Sequence, residues 1–436
     1  MMMSHSLVTA VALVDIYMVG RLGGDAVAAV GYATQFFFMM QSALFAVGTA
    51  CVALMARSIG AGEPSEARRA LGASLILSVG TAAVTAGLLL AAPRALLELL
   101  NAESHVIDLT VPYLRLVIGS SVMLAISLVL ESALRADRNT VMPMRIATIV
   151  AAAKIGLNAL LIFGLLGAPR LGLIGAGVAT VISQVLGLVL FTAAVLRSPV
   201  GSAVAIRFRD LRPSLGLLPD VARLAVPGVA ERVILNLALL SYFAVLGSYG
   251  TSAIAAYTVG VRALSFSWIP GIAFQGALAT LVGQALGAGR RDEARGIGSS
   301  GVVMALGVAV VLGAVVATAR GPIAEAFAGG DPRIVAALGP FMLYLAVLQP
   351  LLQVHFALGG VHRGAGDTWT PLMAATVGNW LLRVPVAVFL ARVMRVDLVW
   401  LWSPMVLDHA ARAIWLWVSF KRGGWQDRLD AKRRGR

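Results

Sequence analysis

The chain has 436 residues and a single cysteine, Cys51, which lies inside an apolar run. That excludes a disulfide framework and a cysteine metal site. Charge is scarce as well, at 13% of residues, where an average soluble domain carries about 25%. Lysine is almost absent: beyond Lys154, Lys421 and Lys432, arginine supplies every other cation. No GxxxxGK[ST] phosphate loop occurs, so ATP is not the fuel. Neither an HExxH pair nor a Ser/Lys or paired-Asp constellation at matching depth is present, which argues against an intramembrane enzyme. What the chain has in quantity is apolar surface: 59% hydrophobic residues and a mean hydropathy of +0.87. A soluble globular enzyme, a disordered chain and a nucleic-acid-binding protein are excluded on that ground, and a polytopic membrane protein is expected.

Runs of about 20 apolar residues mark membrane-spanning helices. Twelve are predicted, over 1–20, 27–56, 71–92, 109–134, 142–164, 173–196, 222–246, 253–286, 297–319, 334–360, 371–394 and 398–420. The second and eighth exceed the bilayer and must tilt, bend or project. The net charge of +14 comes from short basic clusters between the spans. With both termini placed in the cytoplasm, the inside segments carry 22 Lys and Arg and the outside segments eight, the asymmetry that orients membrane proteins. Residues 1–14 lack a basic leader and a small-residue cleavage site, so they are expected to form helix 1 and not a signal peptide. Arginine in place of lysine, with the Ala and Gly excess, suits a GC-rich bacterial genome and hence a bacterial inner membrane.

The chain also repeats itself. At an offset of 227 residues, GAGEPSEAR at 60–68 meets GAGRRDEAR at 287–295, and fourteen positions between 20 and 68 are identical without a gap. At 228, Arg135, Thr140 and Pro143 meet Arg363, Thr368 and Pro371. The expected organisation is therefore a six-helix lobe over 1–196, an Arg-rich cytoplasmic linker over 197–221, a second six-helix lobe over 222–420 and a basic cytoplasmic tail over 421–436. Six is even, so the halves form a parallel repeat about an axis along the membrane normal. Such doubled bundles suit alternating access around a central cavity. Helix 7 opens at Pro227, whose counterpart would fall at residue 0, so the repeat suggests a natural chain with a longer N-terminus.

Several pieces resemble the MATE family, the multidrug and toxic compound extrusion transporters. They are VDIYMVGRLGGDAVAAVG in helix 1 and its loop, GTACVALMARSIGAGEPSEARR after helix 2, LVGQALGAGRRDEAR after helix 8, HRGAGDTWTP after helix 10 and the closing FKRGGW. They occur in family order across almost the whole chain. The resemblance implies an all-α membrane protein of twelve helices in two pseudo-symmetric six-helix bundles. It implies an antiporter, not an enzyme, that exports organic cations and other amphipathic compounds against inward H⁺ or Na⁺. No cofactor, nucleic acid or obligate protein partner is implied; the partners are a small-molecule substrate and membrane lipid. A lipid-linked sugar flippase of the same wider superfamily is the alternative, disfavoured by twelve helices and the paired GAG…EAR loops.

A charge inside the bilayer is expensive and marks a functional hypothesis. Asp15, in LVDIYMVG, matches the family's helix 1 Asp, and the resemblance makes it the proton or cation carrier. A structural ion pair is the competing reading. In helix 5, KIGLNALLIFG, Lys154 and Asn158 lie one turn apart on one face. Asn158 fits the family pattern. Lys154 departs from it: an ammonium there pairs with Asp15 and takes the place of Na⁺, which favours H⁺ as coupling ion, or else it faces elsewhere. Thr180 in helix 6 contributes an oxygen in the family, or it packs. Glu231, four residues after Pro227, resembles the family's P-x-x-x-E and forms a second site or a structural contact near the interface. Glu131 with Arg135, and Asp408 with Arg412, have the spacing of local ion pairs. His355 and His362 lack carboxylates at metal spacing and read as satisfied bundle histidines. Phe36, Phe37 and Met40 of QFFFMMQ, with Arg262, Trp268 and Gln275 of helix 8, are candidates for a cavity that takes flat cations through cation–π and adaptable thioether contacts, or they are packing residues. The GAG…EAR loops read as structural turns, Gly ending a helix and Glu and Arg opening an interfacial segment.

Overall fold

The computed structural model describes residues 11, 14–100, 102–199, 201–205, 215–327 and 332–427, without the side chains of 215, 251, 252, 262, 263, 326, 327 and 332–334. Among the described residues there is no strand. Ten helices are long and apolar enough to cross a membrane. Most of the predicted helix 1 lies outside the described residues; 14–20 are helical and form α1. The chain then runs through α2 (Gly24–Gly60), α3 (Pro64–Ala91), the short α4 (Pro93–Leu99), α5 (Ser104–Gly119), α6 (Ser121–Ala136), α7 (Val141–Phe163), α8 (Gly172–Leu196) and α9 (Leu218–Gly247). It continues through α10 (Thr251–Gly287), α11 (Arg291–Thr318), the short α12 (Arg320–Phe327) and α13 (Pro332–Gly364). Helix α14 (Trp369–Met394) follows, then the four-residue α15 (Leu398–Leu401) and α16 (Ser403–Arg422). With α1 and α16 added to the ten, the arrangement is the all-α, twelve-helix, two-lobe one.

The chain divides into two compact units, Met1–Ala225 and Val226–Arg436. The first unit packs α2 against α3, α5 and α6, and α7 against α8. Its largest core joins Cys51, Met55, Leu71, Val129, Leu134 and Phe191 with Val221 and Leu224 from the start of α9. The second unit packs α10 and α11 against α13, and α13 against α16. There the core is aromatic, with Tyr242, Tyr257, Phe341 and Trp402 all at most 1% exposed. Outward faces are apolar too: Val84 and Leu88 on α3 are 62% and 70% exposed, as are Val303, Met304 and Val310 on α11 at 64–68%. Apolar side chains that find no protein partner are what lipid-facing helices carry. Polar side chains inside these helices are largely satisfied locally, as where Ser74 and Thr110 donate back one turn to Ala70 and Val106.

The GAG…EAR segments are structural turns, as expected: Gly62 and Gly289, at φ +72° and +74°, make the left-handed corner of a tight turn, and Glu66 and Glu293 stand in the first turn of α3 and α11. The predicted helix 11 needs correction, because it is not a uniform α-helix. Val377–Arg383 and Leu390–Met394 wind as π-helix, a local widening that periodicity cannot reveal.

Candidate functional site

In the first unit, α1 and α7 bring three of the expected residues together. The Nζ of Lys154 lies 2.5 Å from Asp15 Oδ2, and Asn158 Nδ2 donates to Asp15 Oδ1 at 2.5 Å. The four-residue spacing that puts Lys154 and Asn158 on one helical face lets each take one carboxylate oxygen. The ion pair is neither open nor sealed, at 23% and 22% exposure, whereas Asn158 is buried at 1%. Asn158 Oδ1 is buried without a hydrogen-bond partner. Thr180 spends its hydroxyl proton on the Ala176 carbonyl, 2.9 Å away in its own helix.

Glu231, in the second unit, is held from a different helix. Both its oxygens accept from Arg363 Nη2 of α13, at 2.8 and 2.6 Å. The partner is 132 residues away, so no local spacing announces it. The internal repeat matches Arg363 to Arg135. Arg135 pairs instead with Glu131, one turn back on its own helix, as expected.

The other local pair, Asp408 with Arg412, is present and is the centre of something larger. Arg412 Nε and Nη2 donate to the two Asp408 oxygens at 2.6 and 2.7 Å. Arg383 of α14 approaches with Nη1 3.8 Å from Asp408 Oδ2. Its Nη2 donates to Tyr257 Oη at 2.8 Å, and its guanidinium carbon lies 4.6 Å from the centre of the Tyr242 ring. Gly378 permits this approach, since a Cβ there would meet the Asp408 carboxylate and lie 3.0 Å from Arg412 Cγ. His409, also on α16, packs edge-on to His355 at 5.5 Å. Arg383 and its two tyrosines escaped the sequence reading; the repeat carries the signal, because 227 residues separate Asp15 from Tyr242 and 228 separate Thr180 from Asp408.

Met40 is fully buried, packed with Leu44, Leu114 and Leu128, and Phe36 and Phe37 pack onto that same core. Met40 is thus a packing residue, because a cavity wall needs surface that a substrate can reach. Trp268 is 39% exposed, and Gln275 lies with its backbone against Gly360 of α13. The side chain of Arg262 lies outside the described residues. His362 is a satisfied bundle histidine, with Nδ1 3.2 Å from Asp367 Oδ2 and Nε2 3.4 Å from the Leu416 carbonyl oxygen. Asp367 also accepts from the Thr370 amide and hydroxyl at the start of α14, so this buried group locks a turn.

Comparison with known proteins follows the same outline. A family model described as MatE matches residues 1–160 and 227–389. A protein of Thermotoga maritima named probable multidrug resistance protein NorM is 25% identical over 421 residues, which is 95% of this chain and 89% of that one. One of the same name from Bradyrhizobium diazoefficiens is 29% identical over 86% of this chain and 81% of its own length. Among solved structures, the Vibrio cholerae MATE transporter VcmN in its bent form superposes with a TM-score of 0.89 at 20% identity, covering 97% of this chain and 94% of that one. A MOP superfamily transporter from Pyrococcus furiosus gives 0.88 at 22%, covering 97% and 92%.

Proposed function

The chain belongs to the MatE family, and from that membership we propose that it is a secondary active multidrug exporter, moving organic cations or other amphipathic compounds outward in exchange for protons. The observation that carries the coupling is the contact of Asp15 with both Lys154 and Asn158. A carboxylate held by an ammonium and an amide is stabilised in its charged form. A proton arriving on Asp15 cancels the ion pair and loosens α1 from α7. Asn158 serves either state: its amide NH₂ donates to the carboxylate, and its unpartnered Oδ1 is an acceptor for a protonated carboxyl after the amide turns over. Loading from outside then frees α1 to move and expel the substrate, and release of the proton inside restores the pair. The proposed setting is a bacterial inner membrane with both termini in the cytoplasm.

Lys154 is what favours H⁺ over Na⁺, because its ammonium stands 2.5 Å from the oxygen a sodium ion would need. Efflux of ethidium from energised, exporter-deficient cells tests the function, with wild type compared to Asp15→Asn at equal expression. Export by the wild type alone is expected; normal export by the variant refutes the role of Asp15. Replacing Lys154→Asn is expected to open the site to sodium, seen as efflux that rises on adding Na⁺ at fixed pH. Wild-type efflux that itself requires Na⁺ refutes proton coupling.

A further inference from the structure

The buried cluster around Asp408 in the second unit holds more fixed positive charge than negative. Among the described residues of this cluster, Asp408 is the one carboxylate and Arg383 and Arg412 are two guanidiniums. Arg412 neutralises Asp408 through two short hydrogen bonds. Arg383 is left with a hydroxyl, an aromatic face and a distant carboxylate edge. Its Nε is buried and has no acceptor. A guanidinium does not shed its proton at any physiological pH, so this charge cannot be removed by titration. A cation kept in a membrane interior normally has an anion beside it. What little surface the cluster retains is on the donor side: Arg383 keeps 9% of its side-chain surface and Asp408 none. Arg383 also ends the π-helical stretch Val377–Arg383, and such widenings recur at functional sites.

The internal repeat sharpens the point. The position of Asp15 corresponds to Tyr242, and that of Lys154 to Leu382, next to Arg383. The π-helical turn carries an extra residue, which accommodates a shift of one. The first unit thus sets its cation on a carboxylate of its own, and the second sets an equivalent cation on the ring of Tyr242. The first unit gives its cation a carboxylate at this position, whereas in the second a phenol ring takes that place and the nearest carboxylate, Asp408, lies 3.8 Å away and is already paired with Arg412.

We propose that the Arg383 guanidinium, framed by Tyr242, Tyr257 and Asp408, receives the anionic group of the transported compound, so that the preferred substrates are amphipathic zwitterions bearing a carboxylate or similar monoanion. The proposal rests on the exporter reading and specifies its substrate. A planar guanidinium offers paired donors that match a carboxylate, and neighbouring rings suit a flat body attached to it.

The test uses the purified full-length protein and two rhodamine dyes that differ only in a free carboxylate or its methyl ester, with affinities read by fluorescence anisotropy. The wild type is expected to bind the free acid about tenfold more tightly than the ester, the scale of one charge-assisted hydrogen-bonded pair. Arg383→Gln is expected to abolish that preference, with Arg383→Lys in between. Tyr242→Asp supplies an internal carboxylate at the Asp15-equivalent position and is also expected to erase the preference. Equal or tighter binding of the ester by the wild type overturns the proposal, and needs no variant to fold. An unchanged acid-to-ester ratio in folded Arg383→Gln or Tyr242→Asp overturns it too. Binding of the ester without acid preference leaves the exporter reading standing, whereas binding of neither dye brings down both.

Discussion

The two units repeat one ladder of helices with different chemistry on it. Helix α2 and its counterpart α10 are both 37 residues long, and α3 and α11 are both 28. Their first residues differ by the same offset of 227 that aligns the sequence. Yet the helix crossings are made tight in opposite ways. In the first unit the room comes from α2, where a Cβ on Gly48 would lie 2.8 Å from Ser132 Oγ on α6. In the second it comes from α13, where a Cβ on Gly360 would lie 2.7 Å from the Gln275 Cα on α10. These are the same two positions by offset, with the glycine on the other partner. Lipid offers no hydrophobic drive between helices, so close approach through small residues has to do that work. The constraint falls on the summed bulk at a crossing and not on either residue.

The acids diverge further. Asp15 is 22% exposed and held by partners from another helix; Asp408 is fully buried and held by its own helix. A carboxylate that must take up and release a proton needs a path to water, and one that anchors a cluster needs none. The largest expected effect on this contrast comes from Asp15→Asn: export falls to background while the thermal midpoint in detergent hardly moves. Asp408→Asn is expected to lower that midpoint, costing about 3 kcal/mol because it strands buried guanidiniums. A midpoint unchanged by Asp408→Asn removes the distinction between the two acids. Next in size is Gly360→Ala, which drives a methyl into the Gln275 backbone at about 2 kcal/mol. Gly48→Ala is expected to cost less, since the Ser132 side chain can turn aside; equal midpoint shifts for the two erase the asymmetry of the crossings. The smallest effect belongs to Glu131→Gln, which breaks a partly exposed local pair worth about 0.5 kcal/mol. A shift there as large as that of Asp408→Asn shows that burial is not what separates the pairs.

Much of this was legible before any coordinates. Twelve apolar runs, the offset repeat and the motif set gave the helices and the family. The pairing of Glu131 with Arg135 and of Asp408 with Arg412 followed from spacing alone, because residues four apart share a helix face. Spacing carries no information about partners on other helices, so Arg363 against Glu231 had no local signal, and Arg383 against Tyr242 had only that of the repeat. The aromatic run around Met40 was ambiguous for a related reason. In a helix apolar on every side, composition does not distinguish a face against protein from one against a cavity. Thus the sequence by itself determined the class of protein, the number and order of its spans and the fact of its duplication, all of which follow from transfer of apolar runs into lipid. Only tertiary packing decided which charges meet and which are left over. Interhelical contacts depend on the rotation of each helix about its axis and on close crossings, and both are set by neighbours that no single segment encodes.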